Sequence, residues 1–251
     1  MVPDRRFHLL QMSSSALLPT GPVEYTIPRG TVTAYTKALD AEMLPIDVAK
    51  TRVAILGTLG ALHAEPVAYD LACLRSLIEG LEPDLLGVEL EPAAWESGDL
   101  GAGPLEVRQA LLPAARRTDT VVVPLGGPSP DELAPPEGGG LARVRTNLMR
   151  ATDVLLTHFQ QIAATPEAVN SSAFSHLCGM VCGLEEMMAS QAGRDAWDAT
   201  NRRILERLVG VMRQDPGRRL LVAVQCRRVH WLSAQLRQLS DTAILIPYHQ
   251  L

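Results

Sequence analysis

The chain has 251 residues, 47% of them hydrophobic, 20% charged and 4% aromatic, and its net charge is −5. A chain of this length and polarity can bury a core of Leu, Val, Ile, Ala and Met without disulfide staples, so a folded globule is expected rather than a disordered chain. The acidic balance excludes a broad electrostatic attraction to nucleic acid. No apolar stretch reaches the roughly 20 residues that span a bilayer, so neither nucleic acid nor membrane is expected as a partner.

The first twenty residues carry Arg5 and Arg6 and then a short apolar run. His8, Gln11 and three serines break that run, which argues against a signal peptide. Val23–Ile27 and Thr31–Tyr35 have the alternation of two edge strands around a Pro28-Arg29-Gly30 turn. From Arg52 the pattern is stronger. Val53–Leu56 is a buried strand closed by Gly57. Val67, Leu71, Leu74, Leu77, Ile78 and Leu81 recur at three- and four-residue steps, which predicts an amphipathic helix ended by Pro83. Leu85–Leu90 is the next strand, so residues 53–90 form a βαβ unit whose two strands are expected to be parallel neighbours. A helix over Leu105–Arg117 precedes a third strand, Val121–Val123. Residues 125–140 are dense in Pro and Gly, and an exposed, mobile loop is expected at Gly126–Gly140. Helical periodicity fills 141–214. Leu220–Val224 is a further strand, Trp231–Leu239 a helix, and Ala243–Pro247 a last strand. The expected architecture is one α/β domain over 1–251, with some α+β character: a mixed, largely parallel sheet with flanking helices and a helical middle segment.

Cys73, Cys178, Cys182 and Cys226 all lie in apolar or helical stretches, without the spacing of a secreted scaffold. Reduced thiols in a cytoplasmic setting are expected. In the 172–191 helix, Phe174, Leu177, Cys178, Val181, Leu184 and Met188 form a core stripe. In the preceding helix Leu148, Leu155, Phe159 and Ile162 form another.

Ligands of open α/β sheets bind beyond the carboxyl ends of the strands. That rule selects His63 in the Gly57–Pro66 loop, Glu89 and Glu91 at the second strand end, and Gln225–His230. A His near a glycine turn can serve as general base or metal ligand; the competing reading is a loop His bonded to backbone. A carboxylate ending a buried strand needs a partner, either a metal, a His or a structural arginine. His230 could complete a site with His63 and Glu89. Arg227 and Arg228 could bind an anionic group, or could form a solvated basic turn.

The block Gly57-Thr58, His63, Leu71/Leu74/Leu77/Ile78, Pro83-Asp84 and Val88-Glu89 resembles the start of the TraB/Tiki superfamily, a grouping with ChaN-like heme-binding proteins and erythromycin-esterase-like hydrolases. Gly60 stands in the register of that family's first His, with His63 three residues later; alternatively Gly60-Ala61-Leu62-His63 is the family's first Gly-x-x-His with a small insertion. Thr200-Asn201 stands for its Arg-Asn pair. In Gln225-Cys226-Arg227-Arg228, the second Gly-x-x-His is registered with Gln225 at Gly and Arg228 at His. The resemblance implies a hydrolase acting on an ester or peptide. His63 and Glu89 would serve as base and partner or as ligands of a divalent metal, ahead of heme, and His230 would be a third member. It implies a ligand-contacting set of Thr58, Glu91, Asn201, Arg227 and Arg228. The other reading is a non-catalytic relative that binds an anionic small molecule, a peptide or a partner protein through Arg227 and Arg228. Either reading is compatible with a homo-oligomer.

Overall fold

Five short apolar runs with few polar interruptions can be buried only where both faces of a sheet are covered, which is the condition of a parallel sheet. The computed structural model describes residues 49–251 apart from 102 and 164, within a unit that begins at Val48. In it these runs are β1 (Thr51–Thr58), β2 (Leu85–Val88), β3 (Val121–Pro124), β4 (Arg219–Gln225) and β5 (Ala243–Ile246). Among the described residues the strands form one sheet, ordered β3-β2-β4-β1-β5, and every pairing is parallel. Among the described residues the sheet is wholly parallel, as expected of its core. The expected edge strands Val23–Ile27 and Thr31–Tyr35 lie outside the described residues.

Alternation along the strands divides the core in two. Ala54, Leu56, Leu86, Val88, Leu221 and Ala223 face one layer. Val53, Ile55, Leu85, Leu220, Val222 and Val224 face the other. The first layer takes α1 (Leu71–Leu81), the π-turn Val107–Leu111 with α3 (Leu112–Arg117), and parts of α4 (Leu141–Ala163) and α6 (Ser172–Met188). The second takes α7 (Gln191–Gln214) and α8 (Cys226–Arg237). Two short helices, α2 (Pro92–Ser97) and α5 (Pro166–Val169), complete the set. Local chemistry places the ends. Asp70 caps α1 by accepting from the Cys73 N–H at 2.7 Å, which starts the helix at Leu71 rather than Val67. Glu82 closes it in the left-handed region, φ 44°, just before Pro83. Ser190 caps α7 through the Gly193 N–H.

Three expectations need correction. β1 and β2 are not neighbours: β4, added late in the chain, lies between them and pairs with both. Its buried run Leu220–Val224 suits it to the central position. Next, α8 begins at Cys226, directly after β4, with Gln225 as its cap residue. Arg227 and Arg228 therefore belong to a helical turn, not a solvated basic turn. Finally, the Pro/Gly-rich segment is anchored. Gly126 and Gly127 are buried, Leu133 N–H donates to the Gly193 carbonyl at 3.0 Å, and Ser190 N–H donates to the Ala134 carbonyl at 2.9 Å. Gly193 allows this: a Cβ there would meet the Ala134 nitrogen at 2.5 Å. Pro128, Pro130, Asp131 and Pro135 are exposed, as expected of a surface loop, and the longest exposed run is the far end, 137–140. All four cysteines are unbridged. No described helix is long and apolar enough to cross a membrane.

Candidate functional site

The sheet order fixes where a ligand crevice opens. The helical segment that follows β2 packs on one layer, and α8, which follows β4, packs on the other. Adjacent parallel strands whose connections leave on opposite faces part at their carboxyl ends, and that gap is the usual ligand position. Glu89 follows β2 and Gln225 ends β4, so both stand at this gap.

Behind the gap is a buried polar cluster centred on Arg228, whose side chain is 2% exposed. Its Nε donates to Glu89 Oε1 at 2.5 Å and its Nη1 to Asn201 Oδ1 at 2.5 Å, while Nη2 donates to Glu132 Oε2. The guanidinium also lies over the Trp197 ring, 4.4 Å from its centroid. The second Glu89 oxygen accepts the Gln225 N–H at 2.7 Å. Only a planar, multi-donor guanidinium can serve three acceptors at once while stacking on an aromatic face. The cluster ties β2, the 125–140 segment, α7 and α8 together. Burial pushes the Glu89 carboxyl above its ordinary value, against the pull of Arg228 and the Gln225 N–H.

In front of the cluster is a cavity of about 440 Å³, lined among others by Gly60, Ala61, Glu89, Glu91, Glu106, Gly127 and Gln225. Glu106 is 2% exposed. Its Oε1 accepts from Thr58 Oγ1 at 3.3 Å, and its Oε2 has no partner among the described residues. Desolvation, and then the charge of Glu89, push the Glu106 carboxyl up. Glu91 sits exposed on the rim, and its Oε1 accepts the Gly127 N–H at 2.9 Å. Gly60, at φ +60°, has open space where a side chain would stand.

The two sequence-selected histidines are placed elsewhere. His63 is buried in a 3-10 turn, Gly60–Ala64. Its Nε2 accepts the Leu59 N–H at 2.9 Å, and Nδ1 meets the Tyr69 carbonyl at 2.6 Å, which fixes the proton on Nδ1. Both ring nitrogens are engaged by backbone, and no hydrogen bond joins His63 to Glu89. Burial lowers its pKa, so it is held neutral. His230 lies two residues beyond Arg228, on the other side of α8. Its ring packs on Gly179 and stands 5.0 Å from the His176 ring. Arg227 pairs with Glu185 at 2.6 Å and with Asp153, joining α8 to α6 and α4.

Of the sequence-selected residues, the structure thus brings together Glu89, Asn201 and Arg228, sets Glu91 on the rim of the adjoining cavity, and places Thr58, buried, on the Glu106 carboxylate. It sets His63, His230 and Arg227 apart from them. As a metal donor pair His63 and Glu89 do not fit, because the ring nitrogens and both carboxylate oxygens already have partners. Among the described residues no three His, Cys, Asp or Glu side chains form a group that could hold a metal ion. Glu106, Glu132 and Trp197 were not legible as site residues. Glu106 reads as one more polar position in a helical stretch, and Glu132 as part of a loop. Comparison with family models, with curated proteins and with solved structures returns no significant match to this chain.

Proposed function

We propose that this chain is a non-hydrolytic relative of the TraB/Tiki type whose cavity at the β2/β4 crevice binds a small molecule. The observation that carries this reading is the Glu89–Arg228 pair. The TraB/Tiki-like register sets Glu89 at the strand end, Asn201 in the Arg-Asn position and Arg228 at the second His, and Arg228 bonds to each of the other two. A side chain that such a site would use as base or ligand is here a guanidinium that cannot take up a proton. The first His position is Gly60, which leaves space rather than a nucleophile or base.

The anion-binding form of this reading has less support. Arg227 and Arg228 already serve two carboxylates each, and the cavity is lined by carboxylates.

One observation favours hydrolysis as a second reading. Glu89 and Glu106 are two neighbouring carboxyls at one cavity with raised pKa values, a pattern that suits general acid–base work. The two readings separate in one experiment. Purified protein is offered a panel of aryl esters and peptides, with and without added divalent metals, beside a thermal-shift screen of the same compounds. The binding reading expects shifts in melting temperature without turnover. Turnover abolished by Glu106→Gln would establish the carboxylate hydrolase instead.

A further inference from the structure

We propose that the exposed face of α4 is a self-association surface, on which the α4 of a second copy of this chain packs antiparallel. The inference does not depend on the crevice. What carries it is a seam that the single chain leaves uncovered. Leu141, Leu148, Leu155 and Ile162 stand seven residues apart along α4. Val144, Ala151 and His158 follow the first three of them by three residues each. This is the a/d spacing by which one helix pairs with another. All seven residues are exposed, and the five larger apolar ones are between 47% and 67% exposed. On its other side α4 serves its own chain: Leu156 and Gln160 are buried, Thr152 donates to Glu185, and Asp153 pairs with Arg227. The seven-residue repeat therefore has no use within the single chain.

Area and charge choose the occupant. The seam runs for about 30 Å at 1.5 Å per residue. With Val154 beside it, 68% exposed, its apolar side chains leave a patch of the order of 500 Å², at the upper end of what a monomer exposes. Pairing two such faces removes about 1,000 Å² before the flanking polar residues count, which reaches the size of a specific interface. A two-fold dimer is the simplest closed assembly that covers an identical face on both copies. The charges set its direction. Arg143, Arg145 and Arg150 lie in the first half of α4, and the second half carries no Lys or Arg. A parallel pair would set the three arginines against their own copies. An antiparallel pair sets them against the uncharged half and the carbonyl end of the facing helix, where cations are favoured. In the a-to-d layers of that arrangement Val144 meets the partner's Ile162, Leu148 the partner's His158, and Ala151 the partner's Leu155. A lipid-binding helix needs a broad apolar face but no seven-residue register.

The test is sedimentation velocity of the full chain over a range of concentrations. The expected result is a monomer–dimer equilibrium. Leu148→Glu and Leu155→Glu should each weaken it at least tenfold, and Val121→Glu, on an exposed strand position away from α4, should leave it unchanged. In dilution, where the chain is single, substitutions along the seam should leave the unfolding midpoint where it is, because association adds to stability only where the dimer is populated. Direction is read by cross-linking under oxidised glutathione. A mixture of Val144→Cys and Ile162→Cys chains should give a mixed dimer, and neither variant alone should cross-link. A chain that stays single at its highest soluble concentration overturns the proposal, as does a dimer that survives both seam variants. Cross-linking of Val144→Cys to itself overturns the antiparallel arrangement. Two other occupants would show themselves in the same material. A single chain whose Val144→Cys thiol is shielded from maleimide covers the face with its own residues, and one that sediments with phosphatidylcholine–phosphatidylserine vesicles covers it with lipid; either result overturns the proposal.

Discussion

Arg228 shows how one residue can organise a site. Its guanidinium is buried against two carboxylates, an amide and an indole. Removing it strands Glu89 and Glu132, and breaking such a buried pair costs about 3–5 kcal/mol. Arg228→Met should therefore lower stability by that amount in urea unfolding. Arg228→Lys should recover only part, because a point-charge ammonium cannot serve three separated acceptors. Full stability in Arg228→Met would show that the carboxylates find other partners. His63 supports the fold differently. Its unfolded pKa is the ordinary 6.5 and its folded value is lower, because burial disfavours the charged ring. Between those two values the unfolded chain binds more protons, so stability is intact above pH 6.5 and falls as pH drops below it. His63→Asn should flatten that part of the stability–pH curve; an unchanged slope would remove His63 as its source. The need for a partner at Glu89 was legible, because a carboxylate at the end of a buried strand cannot stand alone. Which partner was not: the His63 ring is claimed by two backbone groups of its own loop, a local event that residue spacing does not encode.

At the scale of elements, α4 shows the limit of periodicity. Leu148, Leu155 and Ile162 repeat every seven residues, and so do Met149, Leu156 and Ala163, one position on. Either series predicts an amphipathic helix; successive residues differ by about 100° around the axis, so the choice decides which face is buried. The structure buries the second. Leu156 is 0% exposed and Leu155 47%. Leu156→Ala should cost about 2–5 kcal/mol, while Leu155→Ala should stay within about 0.5 kcal/mol. The reverse order in thermal denaturation would mean that α4 is rotated. The stripe on α6 was legible: Phe174, Cys178, Val181 and Met188 are buried and only Leu184 turns outward. The 125–140 segment was legible as irregular but not as anchored. Its attachment depends on the bare Gly193 backbone, some sixty residues away in the chain, and on Glu132 reaching Arg228.

For the molecule as a whole, continuous apolar runs separated by helical periodicity announced a largely parallel sheet, because strands of such sheets are covered on both faces by their crossover helices. Strand order was less legible. A βαβ unit makes neighbours of its strands only when no later strand pairs better with both, and β4 does so here. The insertion moves the crevice from β1/β2 to β2/β4. It exchanges His63 for Arg228 as the partner of Glu89, and it leaves the cavity walled by Glu89, Glu91 and Glu106 rather than by a His–Glu pair. The central claim is that this crevice is the ligand site. The most direct test is amide-resolved NMR with a fragment library on the full chain. Hits should converge on Gly60, Glu91, Gly127 and Gln225. Hits that instead converge on the separate cavity of about 500 Å³ bounded by Ser175, Ser233 and Arg237, leaving the crevice unperturbed, would contradict it.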